Sequence, residues 1–233
     1  MGVLRPLLIF SRTMSAPSGS KPIQLYSLAT PNGQKIGIAL EEFGVEYDAH
    51  LIDISKNVQF EDWYKQINPN SKIPAIVDRQ GPGGKEICVF ESGAILIYLA
   101  DKYGKYLSPV NTPERYTTLE WIMWQMGGVG PMFGQLNHFY NAAPEDIPYA
   151  KQRYLNEGKR LLEVLDKQLS SNKFISGQEY TIADMCTWPW VNAFFKGHKD
   201  KLGDKSFPNV EKWIETIGSR PQVQKGIKVC ARQ

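Results

Sequence analysis

Ile73-Pro74-Ala75-Ile76-Val77-Asp78 and Glu86-Ile87-Cys88-Val89-Phe90, with Gly81-Pro82-Gly83-Gly84 between them, form the stretch on which the fold turns. Two β-rich runs joined by turn residues read as an antiparallel hairpin. Upstream, Ile23-Gln24-Leu25-Tyr26 is a short strand and Thr30-Pro31-Asn32-Gly33 a turn. Ile36, Ile38, Ala39, Leu40 and Phe43 then mark a helix over 34–43 that ends near Gly44. Tyr47 to Ile54 alternates like a strand, and Phe60, Trp63, Tyr64 and Ile67 repeat at helical spacing. After the hairpin, Ala94, Ile95, Tyr98 and Leu99 give a further helical stripe up to Gly104. The order β-α-β-α-β-β-α makes residues 21–104 a four-stranded α/β unit.

Beyond a linker at 105–113, strand signals stop. Leu119, Ile122, Met123 and Met126 share one helical face, as do Tyr154, Leu161, Leu162, Leu165 and Leu169. Thr181-Ile182-Ala183-Asp184 is a capping box, in which hydroxyl and carboxylate satisfy each other's backbone N–H groups. Trp188, Trp190, Phe194 and Phe195 supply buried area, and Pro208 and Pro221 open two terminal helices. Residues 114–233 therefore read as all-helical.

A chain of 233 residues has room for two such domains. Its 27 Lys and Arg against 24 Asp and Glu leave a net charge of +3, spread along the sequence, which argues neither for a nucleic-acid partner nor for an acidic partner surface. No run approaches the ~18 apolar residues of a membrane span. Cys88, Cys186 and Cys230 form no CxxC or metal-ligand spacing, so no metal is expected, and reduced thiols in the cytoplasm fit best. Cys88 and Cys186 lie in apolar runs and read as buried. Residues 1–20 contain Arg5, Arg12 and the apolar run Val3 to Phe10 but no acid. They read as a poorly ordered extension, with an organelle-targeting segment as the alternative.

Asn68-Pro69-Asn70-Ser71-Lys72-Ile73-Pro74-Ala75, Phe90-Glu91-Ser92-Gly93-Ala94-Ile95 and Ile182-Ala183-Asp184 together resemble the cytosolic glutathione S-transferases. Thr30-Pro31-Asn32-Gly33, Trp124-Gln125-Met126-Gly127-Gly128 and Phe133-Gly134-Gln135 look like one branch of them. That branch holds the fungal nitrogen-regulator-like transferases and the bacterial nu-class glutathione disulfide-bond oxidoreductases. The resemblance implies a thioredoxin-like domain followed by a helical bundle, a homodimer, and glutathione as co-substrate. The partner is then a small electrophile or a disulfide, without metal, nucleic acid or membrane. Two other readings stay open: a glutathione-binding regulatory protein with little catalysis, and a translation-factor-like assembly domain.

Glu91-Ser92 stands where a strand gives way to a helix, and free N–H groups with the helix dipole favour an anion there. The resemblance implies that this pair holds the γ-glutamyl end of glutathione, Glu91 facing its ammonium; a simple helix cap is the plainer reading. It also implies a cis Pro74, an Ile73 backbone that pairs with the cysteinyl unit, and Gln59 and Lys72 near the glycine carboxylate. Transferases activate the thiol with Tyr, Ser or Cys near the end of the first strand; here stand Thr30 and Asn32. Lowering a thiol pKa from roughly 8.5 to roughly 6.5 takes about 2.7 kcal/mol. One charge-assisted hydrogen bond supplies about 1.5–3 kcal/mol, and a helix N-terminus about 0.3–1 kcal/mol. Asn32 as donor, helped by Thr30, is therefore sufficient; Tyr26 is the rival activator. Arg153 matches a position that reaches a second glutathione in the nu-class group. Phe133, His138, Phe139 and Tyr149 are candidates for the walls of the second-substrate pocket.

Overall fold

A computed structural model describes residues 15–232. β1 (Ile23–Ser27), α1 (Pro31–Phe43), β2 (Tyr47–Leu51), α2 (Asp62–Ile67), β3 (Ala75–Asp78), β4 (Ile87–Phe90) and α3 (Ser92–Tyr103) follow in the expected order. The sheet runs β2-β1-β3-β4, with β1–β2 parallel and the other pairs antiparallel. Side chains alternate across it. Ile23, Leu25 and Ile76 pack with α1 and α3, whereas Tyr26, Ala75 and Val77 pack with Tyr64 and Ile67 of α2.

Two element boundaries depart from the sequence reading. Thr30-Pro31-Asn32-Gly33 is not a free turn: Pro31 is the first residue of α1 and Thr30 its N-cap. β2 stops at Leu51 because Asp53 accepts the Ser55 N–H at 3.1 Å and starts a 3-10 turn over Ile54–Lys56. Cys88, expected inside, is exposed, because β4 is the sheet's edge strand and this side chain faces away from α3. Cys186 is buried. Of the extension expected over 1–20, residues 1–14 lie outside the described residues. Residues 17–21 are tied to the sheet: Tyr26 Oη donates to the Pro17 carbonyl (2.7 Å), Arg79 to that of Gly19 (2.7 Å), and Asp48 Oδ2 accepts the Lys21 N–H (2.7 Å).

The helical part comprises α4 (Pro113–Trp124), α5 (Gly130–Asn141), α6 (Pro148–Leu169), α7 (Ile182–His198), α8 (Pro208–Gly218) and α9 (Pro221–Gly226). A five-residue π segment, Gln125–Val129, fuses α4 to α5. The buried stripe along it is Thr118, Ile122, Gln125 and Val129; Met123, placed on that face by its sequence spacing, is exposed. The Thr181–Asp184 capping box forms as expected, and Asp184 also accepts from the Ile175 N–H and from Trp213 Nε1. Arg220, at the start of α9, grips Glu42 of α1 through two nitrogens at 2.6 and 2.8 Å and lies over the Tyr180 ring. The helices thus close over the open side of α1.

Candidate active site

The chain leaves β1 at Ser27 and enters α1 four residues later, close against the strand it has just left. Thr30 Oγ1 accepts the Gly33 N–H at 3.3 Å, and the Thr30 carbonyl accepts that of Gln34 at 2.8 Å. Pro31 has no N–H to leave unpaired. A Cβ on Gly33 would lie 1.8 Å from the Leu28 carbonyl oxygen, so glycine is required for this approach. Asn32 follows in the first turn and lines a cavity of about 590 Å³ between the sheet end and the helical part.

The Asn32 amide is held in one orientation. Trp190 Nε1–H, from α7, donates to Asn32 Oδ1 at 2.8 Å. An indole nitrogen only donates, so the contact identifies the oxygen end of the amide and leaves Nδ2, with its two protons, without a partner among the described residues.

Gln59 lines the same cavity from a 3-10 turn over Val58–Phe60. Its Nε2 donates to the Ile54 carbonyl at 3.4 Å, and its Oε1 is buried without a donor among the described residues. Lys72 and Ile73 form the opposite lip. Tyr64 Oη and Asn68 Nδ2 both donate to the Lys72 carbonyl, at 2.6 and 2.7 Å, and the Ile73–Pro74 peptide is cis. Phe90 pairs with Ala75 in antiparallel register, which sets Glu91 across from Pro74. Glu91 is exposed, with φ of 68°, and Ser92 behind it is the buried first residue of α3. Beneath Ser92 lies Lys35, only 1% exposed, whose Nζ donates to Ser92 Oγ (3.1 Å) and Gln125 Oε1 (2.6 Å).

The outer wall is apolar and aromatic: Phe133 and Gly134 from α5, Trp190 and Phe194 from α7. His198 and Asn137 add polar groups. His198 Nε2 is 3.4 Å from Asn137 Oδ1, while its Nδ1 is buried without a partner among the described residues. Burial, then Lys201, holds its pKa below the usual imidazole range, so the ring is neutral at pH 7. The cavity therefore offers a polar rim on the sheet side and an apolar chamber on the helical side.

The glutathione S-transferase N-terminal domain model matches residues 21–101, and the glutathione S-transferase C-terminal domain model matches residues 139–221. The chain belongs to the glutathione S-transferase family. Among relatives of this transferase, disulfide-bond oxidoreductase YghU of Escherichia coli is 45% identical over 232 residues, covering 95% of this chain and 80% of the relative. A glutathione transferase family member from Pseudomonas fluorescens pf-5, solved with two glutathione bound, is 44% identical with a TM-score of 0.86 and covers 90% of this chain and 93% of its own. A glutathione transferase from Pseudomonas putida, solved with one glutathione disulfide per subunit, is 42% identical with a TM-score of 0.87; it covers 92% of this chain and 94% of its own.

In this transferase Thr30, Asn32, Gln59, Lys72, Ile73 and Phe133 come together around one cavity, with Pro74, Glu91 and Ser92 beside its sheet-side lip. The remaining candidates stand elsewhere. Arg153 and Tyr149 line a separate depression of about 730 Å³ with Tyr154 and Arg160. His138 is exposed on α5, and Phe139 stacks on Tyr154 at 5.4 Å between ring centroids. Tyr26 lies on the α2 face of the sheet, its hydroxyl given to Pro17, and burial pushes its pKa up. It therefore does not line the Asn32 cavity and is poorly suited to activate a thiol there. Trp190, His198 and Lys35 carried no functional signal in the sequence, and Gln125 only its place in the Trp124-Gln125-Met126-Gly127-Gly128 motif. Among the described residues no group of three His, Cys, Asp or Glu could hold a metal ion, and no helix is long and apolar enough to cross a membrane.

Proposed function

We propose that this glutathione S-transferase binds glutathione in the cavity at the α1 N-terminus and uses its thiolate to reduce disulfides. The observation that carries the reading is the Asn32 amide, oriented by Trp190, in a cavity lined by none of the three cysteines. A protein cysteine is not required: a stabilised thiolate with access to a disulfide is enough. The γ-glutamyl group occupies the Glu91–Ser92 corner, the cysteinyl amide pairs with the Ile73 backbone, and Gln59 and Lys72 receive the glycine end. The thiol then reaches Asn32, whose Nδ2–H and whose place in the first turn of α1 favour the anion.

In the first step the glutathione thiolate attacks one sulfur of the substrate disulfide, forming a mixed disulfide and releasing the other sulfur as a thiolate that takes up a proton. A second glutathione thiolate attacks the glutathione sulfur of the mixed disulfide and releases the second substrate thiol. Two glutathiones are oxidised to one glutathione disulfide while one substrate disulfide is reduced to two thiols. The wall of Phe133, Trp190 and Phe194 accepts the apolar part of the substrate, and the same thiolate can add to small electrophiles. Arg153 reaches the second glutathione only from its separate depression, so that assignment belongs to the proposal with the rest.

A homodimer is part of the reading. Tyr116 and Met123, one heptad apart on α4, are large exposed apolar groups that a second copy would cover. Residence in the cytoplasm also belongs to it, with three free cysteines as its support. The deciding assay measures reduction of a small mixed disulfide by glutathione, coupled to glutathione reductase, beside conjugation of a chloronitrobenzene. Dominant disulfide reduction supports the proposal. Conjugation alone makes the protein a conjugating transferase, and glutathione binding without either activity favours a regulatory role.

A further inference from the structure

Lys35 is an anomaly for its place in the fold. It lies in α1 between Gln34 and Ile36, and its side chain is almost wholly enclosed where α1, α3, α7 and the π segment meet. Lysines are rarely so enclosed unless paired with an anion. Here the three acceptors of Nζ are neutral, Gln125 Oε1 at 2.6 Å, Ser92 Oγ at 3.1 Å and Met126 Sδ at 3.5 Å, and the Cys186 thiol beside them is kept protonated by burial. Gln125 Oε1 also accepts the Cys186 thiol at 3.1 Å, and Gln125 Nε2 is buried without a partner among the described residues. Of the titratable groups around it, Cys186 belongs to α7 and Glu91 precedes α3. Burial draws the Lys35 pKa down against the opposing influence of both.

The direction of the Lys35–Ser92 contact matters. As an ammonium Nζ has no lone pair, so Ser92 Oγ accepts from it and the serine's own proton is given elsewhere. Met126 Sδ, at 3.5 Å, is a weak acceptor. Ser92 is also the first residue of α3, where a helix N-terminus favours an anion. We propose that Lys35 is a positioning residue whose ammonium provides the counter-charge for the γ-glutamyl α-carboxylate of glutathione, acting through a Ser92 hydroxyl that it polarises and that exchanges the weak acceptor Met126 Sδ for the carboxylate when glutathione binds. This inference rests on the glutathione reading and deepens it. A carboxylate oxygen accepting from Ser92 lies within about 6 Å of Nζ, a separation at which a partly desolvated ion pair changes affinity by one to two powers of ten.

The test is calorimetric binding to wild type, Lys35→Met and Lys35→Gln. The ligands are glutathione and its analogue with the γ-glutamyl α-carboxylate replaced by a carboxamide. Wild type is expected to prefer glutathione at least tenfold. Both variants should lose about 10- to 50-fold in glutathione affinity while binding of the amide changes less than about threefold. The ligand-free Lys35→Met protein should melt at or above the wild-type temperature, because a buried ammonium has been removed. If the Met side chain prevents folding, the Gln variant, which keeps a donor near Ser92, carries the same comparison. Equal weakening of both ligands, or no weakening, overturns the inference and leaves Lys35 a structural strut. Failure of wild type to bind either ligand overturns the glutathione reading, and this inference with it.

Discussion

Trp190 Nε1–H donates to Asn32 Oδ1 across 2.8 Å, joining α7 to the first turn of α1. Without this bond the amide can turn its oxygen toward the ligand sulfur, where it would repel a thiolate. A neutral hydrogen bond of this type contributes about 0.5–1.5 kcal/mol. Trp190→Phe, which keeps the ring and removes the donor, should therefore lower turnover by about 3- to 10-fold with little change in KM for glutathione. Combined with Asn32→Ala it should add almost nothing, since the bond's purpose is then gone. Steady-state kinetics on the four proteins of the cycle check this, and full additivity would separate the two residues.

Glu91 is held at φ of 68° and ψ of 117°, a sparsely populated conformation that costs a non-glycine residue about 1–3 kcal/mol. Strain kept at this corner fits a functional carboxylate. Glu91→Ala and Glu91→Gly should both weaken glutathione binding at least tenfold. Only Glu91→Gly should recover stability, melting above Glu91→Ala by an amount equal to about 1 kcal/mol. Thermal unfolding with and without glutathione distinguishes them.

Tyr26 provides a negative control. Its hydroxyl donates to Pro17 on the sheet face opposite Asn32. Tyr26→Phe should keep wild-type turnover while losing about 0.5–1.5 kcal/mol of stability, read from denaturant unfolding. A large loss of turnover would return Tyr26 to candidacy as activator.

Asp184 gives stability a pH dependence. Full burial pushes its pKa up to about 6, against the lowering effect of the Ile175 and Thr181 N–H donors and Trp213. The unfolded value is near 3.9, so between about pH 4 and 6 the folded protein holds more protons than the unfolded chain. The contribution of this group is therefore fullest below about pH 4 and is lost as pH rises through about 6. The stability difference between wild type and Asp184→Asn should shift by about 2–3 kcal/mol between pH 4 and 7, moving against wild type at the higher pH. Urea unfolding at the two pH values measures it, and a constant difference would mean that Asp184 ionises equally in both states.

The order of strands and helices along the chain and the β3–β4 hairpin were legible in the sequence because Ile23-Gln24-Leu25-Tyr26 and the turn Gly81-Pro82-Gly83-Gly84 carry strand and turn signals that need no tertiary context, whereas the placement of β1 between β2 and β3 rests on tertiary pairing that no local signal carries. The start of α1 was not, because Asn32-Gly33 signals a turn while Thr30 and Pro31 signal a cap and a first helical position; the cap prevailed. Lys35 and Gln125 were hidden by their type: periodicity counts apolar residues, and these two polar side chains occupy buried faces to satisfy each other. Gln125 left two traces, its place in the Trp124-Gln125-Met126-Gly127-Gly128 motif and its register with Thr118, Ile122 and Val129, and neither told of Lys35. Trp190 was read as bulk because nothing local tells an indole N–H that it will meet an amide 158 residues away. The pocket walls were the least legible part. His138 and His198 are indistinguishable in sequence chemistry, yet only the second lines the cavity.

The central claim is that Asn32 stabilises the thiolate of bound glutathione, and the direct measurement is the ultraviolet absorbance of that thiolate, titrated against pH on the saturated protein. Wild type should show a midpoint at least one unit below the roughly 8.5 of a free thiol, with Asn32→Ala moved back toward that value by about one unit or more. Equal midpoints for wild type and Asn32→Ala would contradict it.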